Sequence, residues 1–281
     1  MSSTLWLTAV AMVAFASNSL LARLALGNDA IDPGGFTGIR LASGAAVLAL
    51  IALRAHKQPA TGPAIGGSWA SAFALFAYAI AFSLAYAKLG AAVGALVLFT
   101  AVQATMIGWG LAQGDRPSRR ETAGLAVAFA AFVLWLSPAV TRPDPLGTLL
   151  MIASGIAWAV YSLRGKAAGD PMRATAGNFL RTLPFAVPLV VVSLWQGGVS
   201  IEGLGLALVS GGVTSGLGYI VWYRALGGLT ALSAAIVQLS VPVIAALGAV
   251  LFLSETLSLR FVIAGGLVLG GIAFALTARR R

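Results

Sequence analysis

The sequence predicts an all-α polytopic membrane protein, with ten transmembrane helices arranged as two inverted five-helix repeats. Three observations carry this prediction. Hydrophobic residues make up 59% of the 281-residue chain and charged residues only 9%, against about 25% charged in a soluble domain, whose surface must face water. The apolar residues gather into ten runs, each close to the roughly 20 residues that a helix needs to cross a hydrocarbon core. One phrase is also written twice: "FSLAYAKLGA" begins at Phe82 and "YIVWYRALGG" at Tyr219, so that Tyr86 aligns with Tyr223 and Leu89-Gly90 with Leu226-Gly227.

The first run, 4–26, is too long for the apolar segment of a signal peptide, about 7–15 residues, and no basic segment precedes it; it is expected to be a span carrying Asn18. Asp32-Pro33-Gly34-Gly35 breaks the chain before the second run, 34–54, which carries Arg40. After Pro59 to Pro63 comes the third run, 67–88, with Tyr78, Phe82 and Tyr86 at i, i+4, i+8 on one helix face. The fourth, 91–112, places Phe99 and Gln103 four apart, and the fifth, 120–139, ends before Pro143 to Pro145. The sixth, 146–167, aligns Ser154, Trp158 and Tyr161 at i, i+4, i+7. Asp170-Pro171 precedes the seventh, 173–196, which holds Asn178, Arg181, Pro184 and Pro188. Tyr219 lies in the eighth (203–225), Gln238 and Pro242 in the ninth (229–253), and the glycines of "AGGLVLGG" in the tenth (259–278). Such glycines suit close helix contact, within one chain or across a dimer. The connections are short, so consecutive helices are expected to be antiparallel neighbours.

The repeated phrases end the third and eighth runs. Five helices separate them, an odd number, so the copies point opposite ways through the bilayer. Phe15 and Asn18-Ser19-Leu20 match Trp158 and Tyr161-Ser162-Leu163, Arg40 matches Arg181, and "GDRPS" at Gly114 resembles "SETLS" at Ser254. Residues 1–140 are read as the first repeat and 141–281 as the second. Inverted repeats place a site near the midplane between the halves, which can rock around it.

The formal net charge is +10, yet the basic residues form no stripe for nucleic acid. They sit between the runs. One face would carry Arg54, Lys57, Arg116, Arg119, Arg120, Arg164, Lys166, Arg173, Arg224 and Arg279 to Arg281, and the other only Arg23, Lys88, Arg142 and Arg260. This asymmetry places the first face and both termini in the cytoplasm. Trp6, Trp69, Trp109 and Trp195 fall near run ends, at the depth where indoles prefer the interface.

Enzyme chemistry finds little support. There are no cysteines, and the lone histidine, His56, lies in a basic loop, which leaves neither a metal cluster nor a triad. The acids Asp29, Asp32, Asp115, Glu121, Asp144, Asp170, Glu202 and Glu255 all lie at run ends or in loops, so none pair at depth for acid–base work. No cofactor or metal is expected.

The helix-ending "AYAKLG" and "WYRALG", Pro242 in the run that follows, and "SETLS…AGGLVLGG" make the sequence resemble the drug/metabolite transporter superfamily in its ten-helix EamA-type form. Within it, the chain is most similar to the YddG-type exporters of aromatic amino acids. The repeats differ in one respect: Asp115 and Thr105 stand in the first where Glu255 and Pro242 stand in the second.

Polar groups in lipid usually face a bundle interior or a wet cavity. The expected substrate-binding set is Asn18, Tyr78, Phe82, Phe99, Gln103, Trp158, Tyr161, Asn178, Tyr219 and Gln238. Rings at helical spacing serve helix packing equally well, and the amides serve interhelical hydrogen bonds. All five tyrosines, however, fall in the third, sixth and eighth runs, where a hydroxyl needs a partner. Arg40 and Arg181 either snorkel to headgroups or act at a gate, pairing with a substrate carboxylate or helix-end carbonyls. Pro184, Pro188 and Pro242 are hinge candidates.

The expected function is export of small amphipathic metabolites, aromatic and other apolar amino acids first, from the cell's inner membrane, by alternating access and without a proton carrier. The alternatives are a drug or other metabolite exporter of the same fold, or a non-transporting scaffold. The expected partners are the small-molecule substrate and the bilayer, not nucleic acid, with a monomer or a homodimer both open. Orientation can be checked with single cysteines in this cysteine-free chain. An impermeant maleimide added to intact cells should label Asp144→Cys and spare Ala60→Cys; the reverse pattern contradicts the assignment.

Overall fold

The computed structural model describes residues 2–55, 66–137, 143–253, 256 and 258–277. His56, Lys57, the Pro59–Pro63 segment with Ala60, Arg142, Ser254, Glu255 and Arg279 to Arg281 lie outside the described residues. The described chain is helical nearly throughout: α1 Ser2–Gly27, α2 Pro33–Ala55, α3 Trp69–Ala112, α4 Arg119–Leu136, α5 Pro145–Lys166 and α6 Pro171–Trp195, then α7 Ile201–Val209, α8 Gly218–Leu226, α9 Ala231–Gln238, α10 Ser240–Leu253 and α11 Leu259–Thr277. Ser210–Leu217, a π-helical segment, joins α7 to α8 into one rod.

Among the described residues, eight helical rods are long and apolar enough to cross a bilayer. Hydrocarbon offers the backbone no hydrogen bonds, so each crossing segment must satisfy its own amides, and helices do so. One rod, α3, is 44 residues long, about 66 Å at 1.5 Å per residue and twice a hydrocarbon core. Gly90 divides it, at φ 70° and ψ 178°, a backbone that glycine adopts far more readily than other residues. The third and fourth expected runs are therefore the two parts of α3, turned at the "KLG" that ends the repeated phrase. α4 is shorter and more polar in its first turn, where Arg119, Arg120 and Glu121 sit. The ninth run is also interrupted, at Leu239 between α9 and α10.

Acids close the helix starts. Asp32 accepts from the Gly34 and Gly35 amides, Asp144 from Gly147, and Asp170 from Met172 and Arg173. Ser118 and Glu121 form a capping box on α4. Negative oxygens at these ends satisfy exposed N–H groups and suit the helix dipole. Asp32 also accepts from Ser193, tying the α1–α2 turn to the end of α6.

Small residues set how the rods meet. α2 packs on α6, α4 on α11, α3 on α5 and on α9, and α1 on α8. At the α4–α11 crossing, a Cβ at Gly124 would meet the Gly271 carbonyl at 2.5 Å. Part of "AGGLVLGG" thus serves packing within the chain, while Gly266 and Gly270 face open space. Trp6, Trp69, Trp109 and Trp195 are all exposed near helix ends.

Candidate functional site

Rings from α1, α3, α5 and α8 converge between the two halves of the chain. Tyr86, Phe82, Tyr78, Trp158, Tyr161 and Tyr223 form a continuous column, with successive centroids 5.5, 6.1, 4.8, 5.8 and 5.0 Å apart. The i, i+4 spacing on α3 and the i, i+3 spacing on α5 stack the rings along each helix. Phe15 enters from α1, 5.1 Å from Trp158, 5.7 Å from Tyr219 and 5.5 Å from Trp222, with edges meeting faces.

The column runs between two cavities at opposite ends of the molecule. One, of about 1120 Å³, opens at the Lys/Arg-rich end between the starts of α3 and α6 and the end of α5; Ser68, Arg164, Arg173, Asn178 and Tyr223 are on its wall. The other, of about 940 Å³, lies at the far end and is walled by Arg23, Phe82, Tyr86, Phe99, Pro242 and Arg260, among others. At the level of Tyr78 and Trp158 lies a smaller cavity of about 30 Å³, which adjoins the far vestibule through Ser19, Phe82, Leu98 and Phe99 and shares no wall residue with the basic-end one. The molecule therefore has two vestibules and a narrow, ring-lined waist continuous with the far one.

Seven of the ten residues expected to bind line the waist: Asn18, Tyr78, Phe82, Phe99, Trp158, Tyr219 and Gln238. Their polar atoms are mostly committed within the protein. The Trp158 indole N–H donates to Gln238 Oε1 at 2.7 Å, and Gln238 Nε2 donates to the Ala234 carbonyl at 2.9 Å. Asn18 Oδ1 accepts from Ser210 at 2.5 Å and from Thr214 at 3.3 Å, both in the π-helical segment.

The other three sit elsewhere. Gln103 donates to the Ala235 carbonyl at 2.7 Å and ties α3 to α9. Asn178 accepts from the Ser68 amide at 3.0 Å on the wall of the basic-end vestibule. Tyr161 belongs to the column but is fully buried; its hydroxyl faces Tyr223, Asn178 and Thr175 and closes no hydrogen bond.

The two arginines diverge. Arg181 donates to the carbonyl of Gly66, in the loop before α3, at 2.7 Å, and to that of Gly177, inside α6, at 2.9 Å, so its partners are not helix-end carbonyls. Arg40 is 1% exposed and, among the described residues, is the one buried charged side chain. It donates to Ser215 Oγ at 2.8 Å, to the Tyr219 hydroxyl at 2.7 Å and to the Tyr78 hydroxyl at 3.3 Å.

The prolines diverge too. α6 runs unbroken through Pro184 and Pro188, whereas Pro242 lies just after the interruption at Leu239, on the far vestibule's wall. Sequence reasoning left out Phe15, Trp222 and the π-helical segment as site features. Such segments are common at functional sites, and the cluster of Gly, Ser and Thr in "SGGVTSGL" was its only signal.

Comparison with known proteins bears on what this arrangement does. The sequence model of the EamA-like transporter family matches residues 145–277. The chain is 50% identical over 278 residues to uncharacterized protein PA1977 of Pseudomonas aeruginosa, covering 98% of this chain and 95% of that one. It is 28% identical to an uncharacterized transporter of Archaeoglobus fulgidus, over 68% of this chain and 69% of the other. It is 29% identical to the threonine/homoserine exporter RhtA of Escherichia coli, over 56% of this chain and 54% of that protein. A crystal structure with 22% identity covers 100% of this chain and 99% of its own, with a TM-score of 0.78.

The waist's polar pairing can be checked through stability. Trp158→Phe keeps a ring but leaves Gln238 Oε1 buried without its donor, a loss of about 1–3 kcal/mol. The variant should melt earlier than wild type in detergent, and adding Gln238→Leu should recover part of the loss. Equal melting of Trp158→Phe and wild type would show that the pair carries no stability.

Proposed function

This chain belongs to the EamA-like transporter family, and from that premise we propose that it exports small amphipathic metabolites, aromatic and other apolar amino acids first, across the inner membrane. The observation that carries this reading is the ring-lined waist of about 30 Å³ together with vestibules of about 1120 and 940 Å³. Rings bind apolar side chains, and their faces attract an ammonium. Amino acids are favoured as a class because RhtA, which resembles part of the chain, is a threonine/homoserine exporter. The ring lining favours larger side chains than threonine's.

Alternating access rests on the pairing of the rods. Exchanging residues 1–140 for 141–281 maps the α1–α8 contact onto the α5–α3 contact, and it maps α2–α6, α4–α11 and α3–α9 each onto itself. This symmetric pairing supports a reading as two inverted repeats with the waist at their boundary. The basic end, and with it both termini, faces the cytoplasm. Opening one vestibule while closing the other needs bends, for which Gly90 and the Leu239–Pro242 interruption are placed on the far side.

The driving force is the solute gradient. Proton carriers hold an acid or histidine at depth, and the described interior holds neither. A drug exporter of the same fold is the second reading; it predicts that bulky cations compete best.

Flux in sealed liposomes decides. Labelled phenylalanine, tryptophan and threonine should equilibrate through the protein, with the aromatic pair competing best, and an imposed pH gradient should drive no uphill accumulation. Trp158→Ala or Tyr78→Ala should weaken flux at normal expression. Absence of amino-acid flux contradicts the function, and gradient-driven accumulation abolished by an ionophore contradicts the facilitative mechanism.

A further inference from the structure

We propose that Arg40 is the anchor for a substrate carboxylate, so that a carboxylate is obligatory for recognition and an ammonium is not. The proposal rests on the transporter reading and sharpens it. Its starting point is an imbalance. A guanidinium has five N–H donors in a planar fork. Arg40 uses Nε on Ser215 and Nη2 on Tyr78 and Tyr219, all neutral oxygens, while Nη1 is buried with no hydrogen-bond partner. Among the described residues the acids sit in turns, at helix starts or in first turns, and none is buried. A charge taken out of water without a counter-charge costs several kcal/mol. The Tyr78 ring, 5.4 Å from the guanidinium carbon, offsets only a small part.

The missing counter-charge has a place to come from. Tyr78 and Tyr219 both line the waist, and Arg40 lies directly behind their hydroxyls. A solute in the waist needs only to displace one hydroxyl to reach a fork whose geometry matches a carboxylate with two parallel N–H···O bonds. The position also links binding to movement. Arg40 and Tyr78 belong to the first half of the chain, Ser215 and Tyr219 to the second. In this arrangement the guanidinium holds the halves together through Ser215 and Tyr219, and an arriving carboxylate competes for those same donors. The π-helical segment lets this happen at close quarters: Gly211 lies against the Arg40 carbonyl with no room for a Cβ, and Ser215 four residues on reaches Nε. An unbalanced buried cation also repels ammonium-only solutes, which separates this site from one built for cationic drugs.

The test uses the full-length protein in detergent and a matched set of ligands: phenylalanine, phenyllactate (carboxylate without ammonium), phenylalaninamide and phenethylamine (ammonium without carboxylate). Binding is read by thermal shift and calorimetry. The two carboxylates should bind and the amide and amine should not. Arg40→Met should weaken carboxylate binding roughly 30-fold or more, as truncating one side of a buried charged pair does, and Arg40→Lys, which keeps charge without the fork, should fall between. Without ligand, Arg40→Met should melt no earlier than wild type, because an uncompensated charge has been removed; a purely structural arginine would lower that melting point. Equal binding of amide and acid, carboxylate binding untouched in Arg40→Met, or no carboxylate binding at all overturns the proposal. If liposomes show no amino-acid flux but phenyllactate binds through Arg40, the amino-acid reading fails and the anchor stands; transport of phenylalaninamide as fast as phenylalanine sinks the anchor alone.

Discussion

A bilayer core supplies no hydrogen bonds, and the rest of this structure follows from that constraint. Every backbone amide inside the hydrocarbon must be satisfied along its own rod, which makes the chain helical. Every polar side chain in a span must turn inward or toward an end. The consequence here is a seam: Trp158 pairs with Gln238, Asn18 with the π-helical segment, and Tyr78 and Tyr219 with the Arg40 guanidinium. The seam has rings because tyrosine and tryptophan bring apolar bulk with a single polar handle. Asp32, Asp144 and Asp170 lie away from depth and cap helix starts, so none of them neutralises Arg40.

Much of this was legible because hydropathy reports the solvent directly. The expected runs fall on described helical rods to within a few residues, with Gly90 dividing the longest, although only eight rods are long and apolar enough to cross a bilayer. Helical spacing also identified the faces of α3 and α5 that build the ring column, since i, i+4 positions on a helix must share a side. Seven of ten expected site residues therefore line one cavity.

What stayed hidden needed knowledge of the partner across the seam. Gln103 and Gln238 look alike in sequence, each a lone amide in an apolar run; one ties α3 to a backbone carbonyl and the other faces the waist. Arg40 and Arg181 occupy matched positions in the two repeats. Yet Gly66 comes so close to Gly177 that Arg181 finds carbonyls within reach, whereas Arg40 finds only hydroxyls. Trp222 donates to Ser162 across the α5–α8 contact, and nothing in its local sequence predicts that partner. The π-helical turn depends on the accommodation of Arg40 and Asn18 against small residues, a tertiary demand that local propensity does not reveal.

The central claim is that two vestibules open in alternation around one waist. Distances across them test it most directly, by pulsed electron resonance on spin-labelled cysteine pairs in liposomes. One pair, at Trp109 and Gly169, sits on the wall of the basic-end vestibule; the other, at Ala87 and Ser258, on that of the far one. Saturating phenylalanine should shift the two distance distributions in opposite senses, one widening as the other narrows. Shifts in the same sense, or none while transport proceeds, would contradict alternating access.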